Sequence, residues 1–346
     1  MSSVAVIGAS GYTGAELMRL LAGHPEFRVT LATADTHAGT PVAGLYPSLA
    51  AAYPGMGYTT LDDPALDRVD LAFLCLPHGA SQAVVPELRH RVRWIVDLAA
   101  DFRLRDAALY PRWYGEPHAC PDLLADAVYG LPELFRDEVK QAGLVAAPGC
   151  YVTAATLALA PLLAADAIEP AGIIVDAASG VSGAGRPARP NTTFCAADED
   201  FTAYGLLDHR HTPEIEQNLS AVASEPVQVL FTPHLAPMNR GILATCYARP
   251  GAGPNPSTDT LLDLLHDAYD REPFVVASGR SPSTKATLGS NAAQVTARFD
   301  PRTGWVLAIA ALDNLMKGAS GQALQCANLM AGLDETTGLT AVGTYP

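Results

Sequence analysis

Along the first 150 residues, short apolar runs alternate with stretches whose apolar positions repeat at helical spacing. The runs Val4 to Gly8, Val29 to Thr33, Asp70 to Leu76, Trp94 to Leu98 and Leu144 to Ala146 predict strands, with helices over Ala15 to Leu21 and Ser81 to Leu88. An unbroken apolar run marks a strand buried on both faces, so the expected fold is α/β, beginning with a Rossmann-like, doubly wound parallel sheet. From Gly172 the runs lengthen: Ile173 to Ala177, Val227 to Thr232, Gly241 to Ala248, Gln294 to Phe299 and Trp305 to Leu312. With helices over Pro213 to Ala221 and Thr258 to Tyr269, they predict a second, α+β domain on a mixed or antiparallel sheet. A helix to about Met330 is expected to return to the first domain. The division then falls at 1–149 plus 314–346, and 150–313.

Composition narrows the class. The chain has 346 residues, enough for two domains, and its apolar share of 49% against 17% charged is that of a globular protein. A net charge of -14 without any basic block argues against a nucleic-acid partner. The N-terminus enters a strand pattern directly, with no charged segment and apolar core of an export signal. The longest apolar run falls well short of the ~20 residues that span a bilayer. A cytoplasmic protein with no membrane partner is expected. The cysteines at 75, 120, 150, 195, 246 and 326 form no Cys-x-x-Cys pair and no spacing suited to a metal, so no metal site is expected and the thiols are expected reduced. Cys75 and Cys246, inside apolar runs, read as small buried hydrophobes.

Gly8-Ala9-Ser10-Gly11-Tyr12-Thr13-Gly14 follows the first strand and opens the first helix. In that setting glycines let the backbone approach a pyrophosphate, whose charge faces the unpaired N–H groups and the dipole of the helix start. A tight turn without a ligand is the plainer alternative. The dinucleotide type stays open at the end of the second strand, Thr33-Ala34-Asp35-Thr36. Asp35 suits a ribose hydroxyl, whereas Thr33 and Thr36 suit a phosphate.

Cys150 follows Pro148-Gly149 and heads a helical stretch to about Ala165. A helix N-terminus favours thiolate over thiol, and a thiolate is the nucleophilic form; simple packing is the alternative. In Asp208-His209-Arg210-His211-Thr212-Pro213-Glu214, Thr212 is a plausible N-cap and Pro213 a good first helical residue, which leaves both histidines just outside a helix start. Histidine exchanges a proton near neutral pH, and Glu214 is close enough in sequence to orient a ring.

The run Ala147-Pro148-Gly149-Cys150-Tyr151-Val152-Thr153, taken with the glycine loop, resembles the active-site signature of N-acetyl-gamma-glutamyl-phosphate reductases. Similar matches are Leu76-Pro77-His78-Gly79, Ala100-Asp101-Phe102-Arg103-Leu104, Tyr129 to Leu134, Ser179 to Arg186, His209 to Ile215 and Gly289-Ser290-Asn291. The resemblance implies reversible NADPH-dependent reduction of an acyl phosphate, N-acetyl-glutamyl phosphate, to the semialdehyde and phosphate, as a step of arginine biosynthesis. It implies Cys150 as nucleophile, His211 as general acid and base, and Glu214 as the group orienting His211. NADP is the implied cofactor, held by Gly8, Ser10, Gly11, Tyr12, Thr13, Gly14, Thr33, Leu76, Pro77, His78, Ser182, Gly183 and Asn314. On the substrate side stand Arg103, Arg186, His209 and Tyr204, and the implied assembly is a homodimer or homotetramer. By itself, Arg103 also fits a surface ion pair. One departure is Ala34, where many relatives carry an arginine. The alternatives are a reductase for aminoadipyl or aspartyl phosphate, and a dinucleotide-sensing regulator that keeps the fold. A sensor needs neither Cys150 nor His211.

Overall fold

In the computed structural model, which describes residues 1–345, the chain divides into two units. The first is residues 1–148 with 319–339. Its six strands, β1 (Ser2–Ile7), β2 (Phe27–Thr33), β3 (Leu71–Leu74), β4 (Trp94–Asp97), β5 (Ala127–Tyr129) and β6 (Leu144–Ala146), form one sheet in the order β2-β1-β3-β4-β6-β5. Every pairing is parallel. β3 and β6 are buried at every position, as strands covered on both faces must be. Ile7, Leu74, Val85, Leu88, Ile95 and Phe102 share the core on one side. The helix Gly321–Met330 is buried along its whole length, and its Gln322 amide donates to the Gly130 carbonyl at 2.8 Å.

The second unit is residues 149–318 with 340–345. Its strands are β7 (Ile173–Gly180), β8 (Thr202–Ala203), β9 (Val229–Ala236), β10 (Ile242–Ala248), β11 (Val275–Ala277), β12 (Ala293–Asp300) and β13 (Trp305–Leu312). They form a mixed sheet in the order β11-β12-β13-β10-β7-β9-β8, with β7/β9 and β11/β12 parallel and the remaining pairs antiparallel. The helices Cys150–Ala164, Thr212–Ala223 and Thr258–Tyr269 pack on this sheet. Burial alternates along β7, β9 and β10, so one face is covered and the other open. Leu230, Ile174, Tyr247 and Leu307 stand side by side on the open face, in register across four strands.

The expected limits differ from these units in three places. Gly149 joins the second unit because its N–H is bonded to Glu214. Residues 314–318 stay there because the Asn314 side chain accepts the Gly241 N–H and the Asp313 carboxylate accepts the Gly289 N–H. Residues 340–345 return to it, where Thr340 accepts from Asn291 and Thr344 donates to Leu288. The three-residue edge strand β5, the two-residue β8 and the short β11 carry too little periodicity to be read from the pattern, and the helix Pro132–Gln141 is interrupted by non-helical backbone at Phe135. Between β13 and the last α-helix, residues Met316–Ser320 form a π-helix, which the pattern also conceals.

Candidate active site

The first unit holds the glycine loop. Gly8 has φ +80, and a Cβ there would meet the Cys75 carbonyl oxygen at 2.5 Å, so both backbone and space require glycine. Gly14 is required by space alone, since a Cβ would lie 2.6 Å from the Ala9 Cα. Gly11 is different. It is the N-cap of the helix Tyr12–Leu21 with an ordinary φ of -77, and a Cβ there would meet only the Gly8 carbonyl oxygen, at a relaxed 3.6 Å. The chain's own packing leaves glycine at 11 unexplained, and the approach of a phosphate to bare backbone explains it. The glycine loop thus fits a dinucleotide.

Around this loop, the Thr33 carbonyl accepts from both Gly8 and Ala9, and the Tyr46 hydroxyl donates to the Ser10 carbonyl at 2.8 Å. Ser320 Oγ donates to the Thr13 carbonyl at 2.8 Å. Tyr46 and Ser320 escape sequence reasoning because they are far from the loop in the chain. Thr33 ends β2 with its side chain buried, which corrects the expectation of an accessible phosphate ligand there. Ala34 is buried too, so the groups accessible beyond the strand are Asp35, Thr36 and the half-buried His37.

Leu76, Pro77 and His78 follow β3 and run into the start of the helix Ser81–Leu88. Asp101 caps that helix, accepting the N–H groups of Gly79 at 2.7 Å, Ser81 at 2.8 Å and Gln82 at 3.2 Å. Arg103 is buried. Its Nε donates to the Ala147 carbonyl and its Nη2 to the Leu98 carbonyl, both at 2.8 Å, which corrects the reading as a surface ion-pair partner.

The second unit gathers Cys150, His211, Glu214, His209 and Tyr204. Cys150 is the first residue of its helix, half-buried, with Gly149 as N-cap. A Cβ on Gly149 would overlap the His211 imidazole, meeting its Nε2 closely and its Cδ2 at 2.6 Å, so the ring lies flush on the backbone immediately before Cys150. The wholly buried Glu214 accepts the Gly149 N–H at 2.8 Å. The helix carrying Glu214 begins at Thr212 with His211 as N-cap and Pro213 second, one residue earlier than expected, because His211 itself has helical φ/ψ and its carbonyl accepts from Ile215.

An aromatic box surrounds the histidines. His209 packs edge-on against Tyr151, Tyr204, His211 and Phe231, with ring centroids 4.7 to 5.8 Å apart. The Tyr204 hydroxyl donates to that of Tyr151 at 3.2 Å, which donates in turn to the His234 carbonyl at 2.9 Å. Burial, reinforced by the Arg210 charge, pushes His209 down to about 4, and its Nδ1 accepts the His211 N–H at 3.2 Å. His209 is therefore neutral across the physiological range. Burial likewise raises Tyr151, and pushes Tyr204 up to about 12. Tyr151 and Phe231 were not foreseen, since a tyrosine within a helix and a phenylalanine within a strand read as core.

Asn314 lies beyond β13 with both ends of its amide engaged: Oδ1 accepts from Gly241 N–H at 2.8 Å and Nδ2 donates to Ser182 Oγ at 2.9 Å. A Cβ on Gly183 would stand 3.8 Å from that Nδ2, so the structure brings Ser182, Gly183 and Asn314 together. Arg186 is half-buried just beyond the short turn Val181–Ala184. Cys246 is wholly buried, as expected, and burial pushes its thiol up to about 12. No helix among the described residues is long and apolar enough to cross a membrane.

Comparison with known proteins agrees with this anatomy. Residues 3–142 match the family model for the semialdehyde dehydrogenase NAD binding domain, and 150–314 match that for the semialdehyde dehydrogenase dimerisation domain. The N-acetyl-gamma-glutamyl-phosphate reductase of Desulforudis audaxviator is 50% identical over 100% of both chains, and that of Geobacter sulfurreducens is 49% identical, also over 100% of both. Among solved structures, aspartate semialdehyde dehydrogenase II of Vibrio cholerae superposes with a TM-score of 0.71 at 18% identity, covering 96% of this chain and 98% of that one, a likeness of fold. Matching along their full length to relatives half identical to it, this chain belongs to the N-acetyl-gamma-glutamyl-phosphate reductase family.

Proposed function

We propose that the protein catalyses the reversible NADPH-dependent reduction of N-acetyl-L-glutamyl 5-phosphate to N-acetyl-L-glutamate 5-semialdehyde and phosphate, in the cytoplasm, through a thioester on Cys150. The observation that carries this reading is the His211 ring lying on Gly149, one residue from a cysteine at a helix N-terminus. Attack of the Cys150 sulfur on the acyl carbon forms the C–S bond as the C–O bond to phosphate breaks. His211 takes the thiol proton, gives a proton to the carbonyl-derived oxygen once the thioester is reduced, and takes it back as the C–S bond breaks to free the semialdehyde and the Cys150 sulfur. Glu214 holds the Gly149 N–H and with it the start of the nucleophile's helix. Neutral His209, packed against Tyr151 and Tyr204, is assigned to the substrate side, with the two tyrosine hydroxyls holding its wall through their chain of hydrogen bonds to the His234 carbonyl. Arg186 is assigned to a substrate anion through its planar fork of donors.

NADP, when bound, supplies the hydride that reduces the thioester. The glycine loop would hold its pyrophosphate, Thr36 and His37 its adenosine phosphate, and Asn314 with Ser182 and Gly183 the carboxamide end. The open sheet face with Leu230 and Tyr247, which are 49% and 37% exposed, is assigned to a second copy in a homodimer or homotetramer.

Cys150→Ala is the test of the reaction. Phosphate-dependent NADP reduction by the semialdehyde is expected to vanish while NADPH still binds. Activity near that of the unaltered enzyme would remove the thioester mechanism.

A further inference from the structure

The chain after β13 packs against the nucleophile itself. A Cβ on Gly318 would stand 2.8 Å from the Cys150 Cβ, 3.2 Å from Leu312 Cδ1 and 3.4 Å from the Asp313 carbonyl oxygen. Cys150 approaches this closely only because residue 318 is glycine, and its bare Cα forms part of the surface on which Cys150 rests. Its position follows from Asp313. The Asp313 carbonyl accepts from Met316 at 3.1 Å and from Gly318 at 3.0 Å. The Asp313 Oδ1 accepts from Leu315 at 2.8 Å and from Met316 at 3.3 Å. Oδ2 accepts the Gly289 N–H at 2.8 Å and lies 3.5 Å from Arg240 Nη1. The residue is wholly buried. A buried carboxylate with this many donors is a rigid hub, because losing any one of them leaves charge uncompensated. The segment it winds is the start of the π-helix, a geometry that recurs at functional sites.

We infer that Asp313 is a positioning residue for the nucleophile: it winds residues 315–318 so that Gly318 presses on Cys150 and fixes the direction of the sulfur. This rests on the reading of Cys150 as nucleophile. Asp313 touches no reacting atom. Its action passes through the backbone to Gly318 and from there to the Cys150 side chain.

The experiment compares the full-length enzyme with Gly318→Ala and Asp313→Asn. Three quantities are read: kcat and KM with the semialdehyde and phosphate, the rate of Cys150 alkylation by iodoacetamide against pH, followed by peptide mass, and the melting transition. Gly318→Ala is expected to lower kcat by ~10²-fold, the effect of a displacement of about 1 Å at a reacting group. KM changes little, and the alkylation profile shifts in rate or in midpoint. Asp313→Asn, isosteric but uncharged, shifts the same two readouts in the same direction and carries the test should Gly318→Ala not fold. Folded variants with an unaltered kcat and an unaltered alkylation profile would overturn the inference. Failure of the nucleophile reading is separate: there Cys150→Ala stays active, whatever these variants do.

Discussion

The Glu214 carboxylate accepts the Gly149 N–H at 2.8 Å, so the helix that follows His211 is tied to the residue before Cys150 by a buried, charge-assisted hydrogen bond. The same glycine carries the His211 ring on its bare Cα. His211, Glu214 and the proposed nucleophile Cys150 are thus arranged around one backbone position with no side chain of its own.

Gly149→Ala tests that arrangement. The added methyl would occupy the space of the imidazole, so His211 or the Cys150 helix must move. Because reacting groups misplaced by about 1 Å lose on the order of 10²-fold in rate, kcat is expected to drop by that much with the fold retained. Steady-state kinetics with a circular-dichroism melt checks it, and a folded variant with unaltered kcat would show that the ring does not act from this position.

The glycine loop offers a contrast between two substitutions. Gly8→Ala puts a side chain at φ +80 against the Cys75 carbonyl, and is expected to destabilise the first unit by about 1–3 kcal/mol. Gly11→Ala meets neither strain nor crowding within the chain, so stability is expected to hold while NADPH affinity falls by about tenfold or more, ~1.4 kcal/mol. Denaturant titration and fluorescence titration of NADPH separate the two. Equal loss of stability in both variants would assign Gly11 to the fold.

These glycines also show what the pattern of residues discloses. Strand alternation and the loop at 8–14 point to a parallel sheet with a dinucleotide site, and Pro148-Gly149-Cys150 at a helix start points to a nucleophile, because each signal is local. What escaped is non-local. The Asp101 cap lies about twenty residues from the helix it caps, Tyr46 is remote from the Ser10 carbonyl it holds, and the Asp313 hub joins segments brought together only by the sheet. Arg103 misleads for the same reason: by itself an arginine reads as a surface ion-pair residue until its Nε and Nη2 are seen on the carbonyls of Ala147 and Leu98.

His209 predicts a pH dependence of stability rather than of catalysis. Its folded value, about 4, lies below the ordinary 6.5, so between those values the unfolded chain binds a proton that the folded chain refuses. Stability from this site is therefore complete above about pH 6.5 and declines as pH falls toward 4. His209→Gln is expected to shrink the difference in urea midpoint between pH 7 and pH 5. The neutral arm of the kcat profile should stay in place, because His209 does not titrate there. A neutral arm displaced by this substitution would transfer the acid–base role from His211 to His209.

The most direct measurement is the mass of the enzyme after mixing with N-acetyl-glutamyl phosphate in the absence of NADPH. A thioester mechanism predicts that phosphate is released once per active site, and that the acyl mass appears on the peptide containing Cys150 and is removed by hydroxylamine. Acyl mass on another residue, or turnover of the substrate by an enzyme whose Cys150 never carries it, would contradict the account.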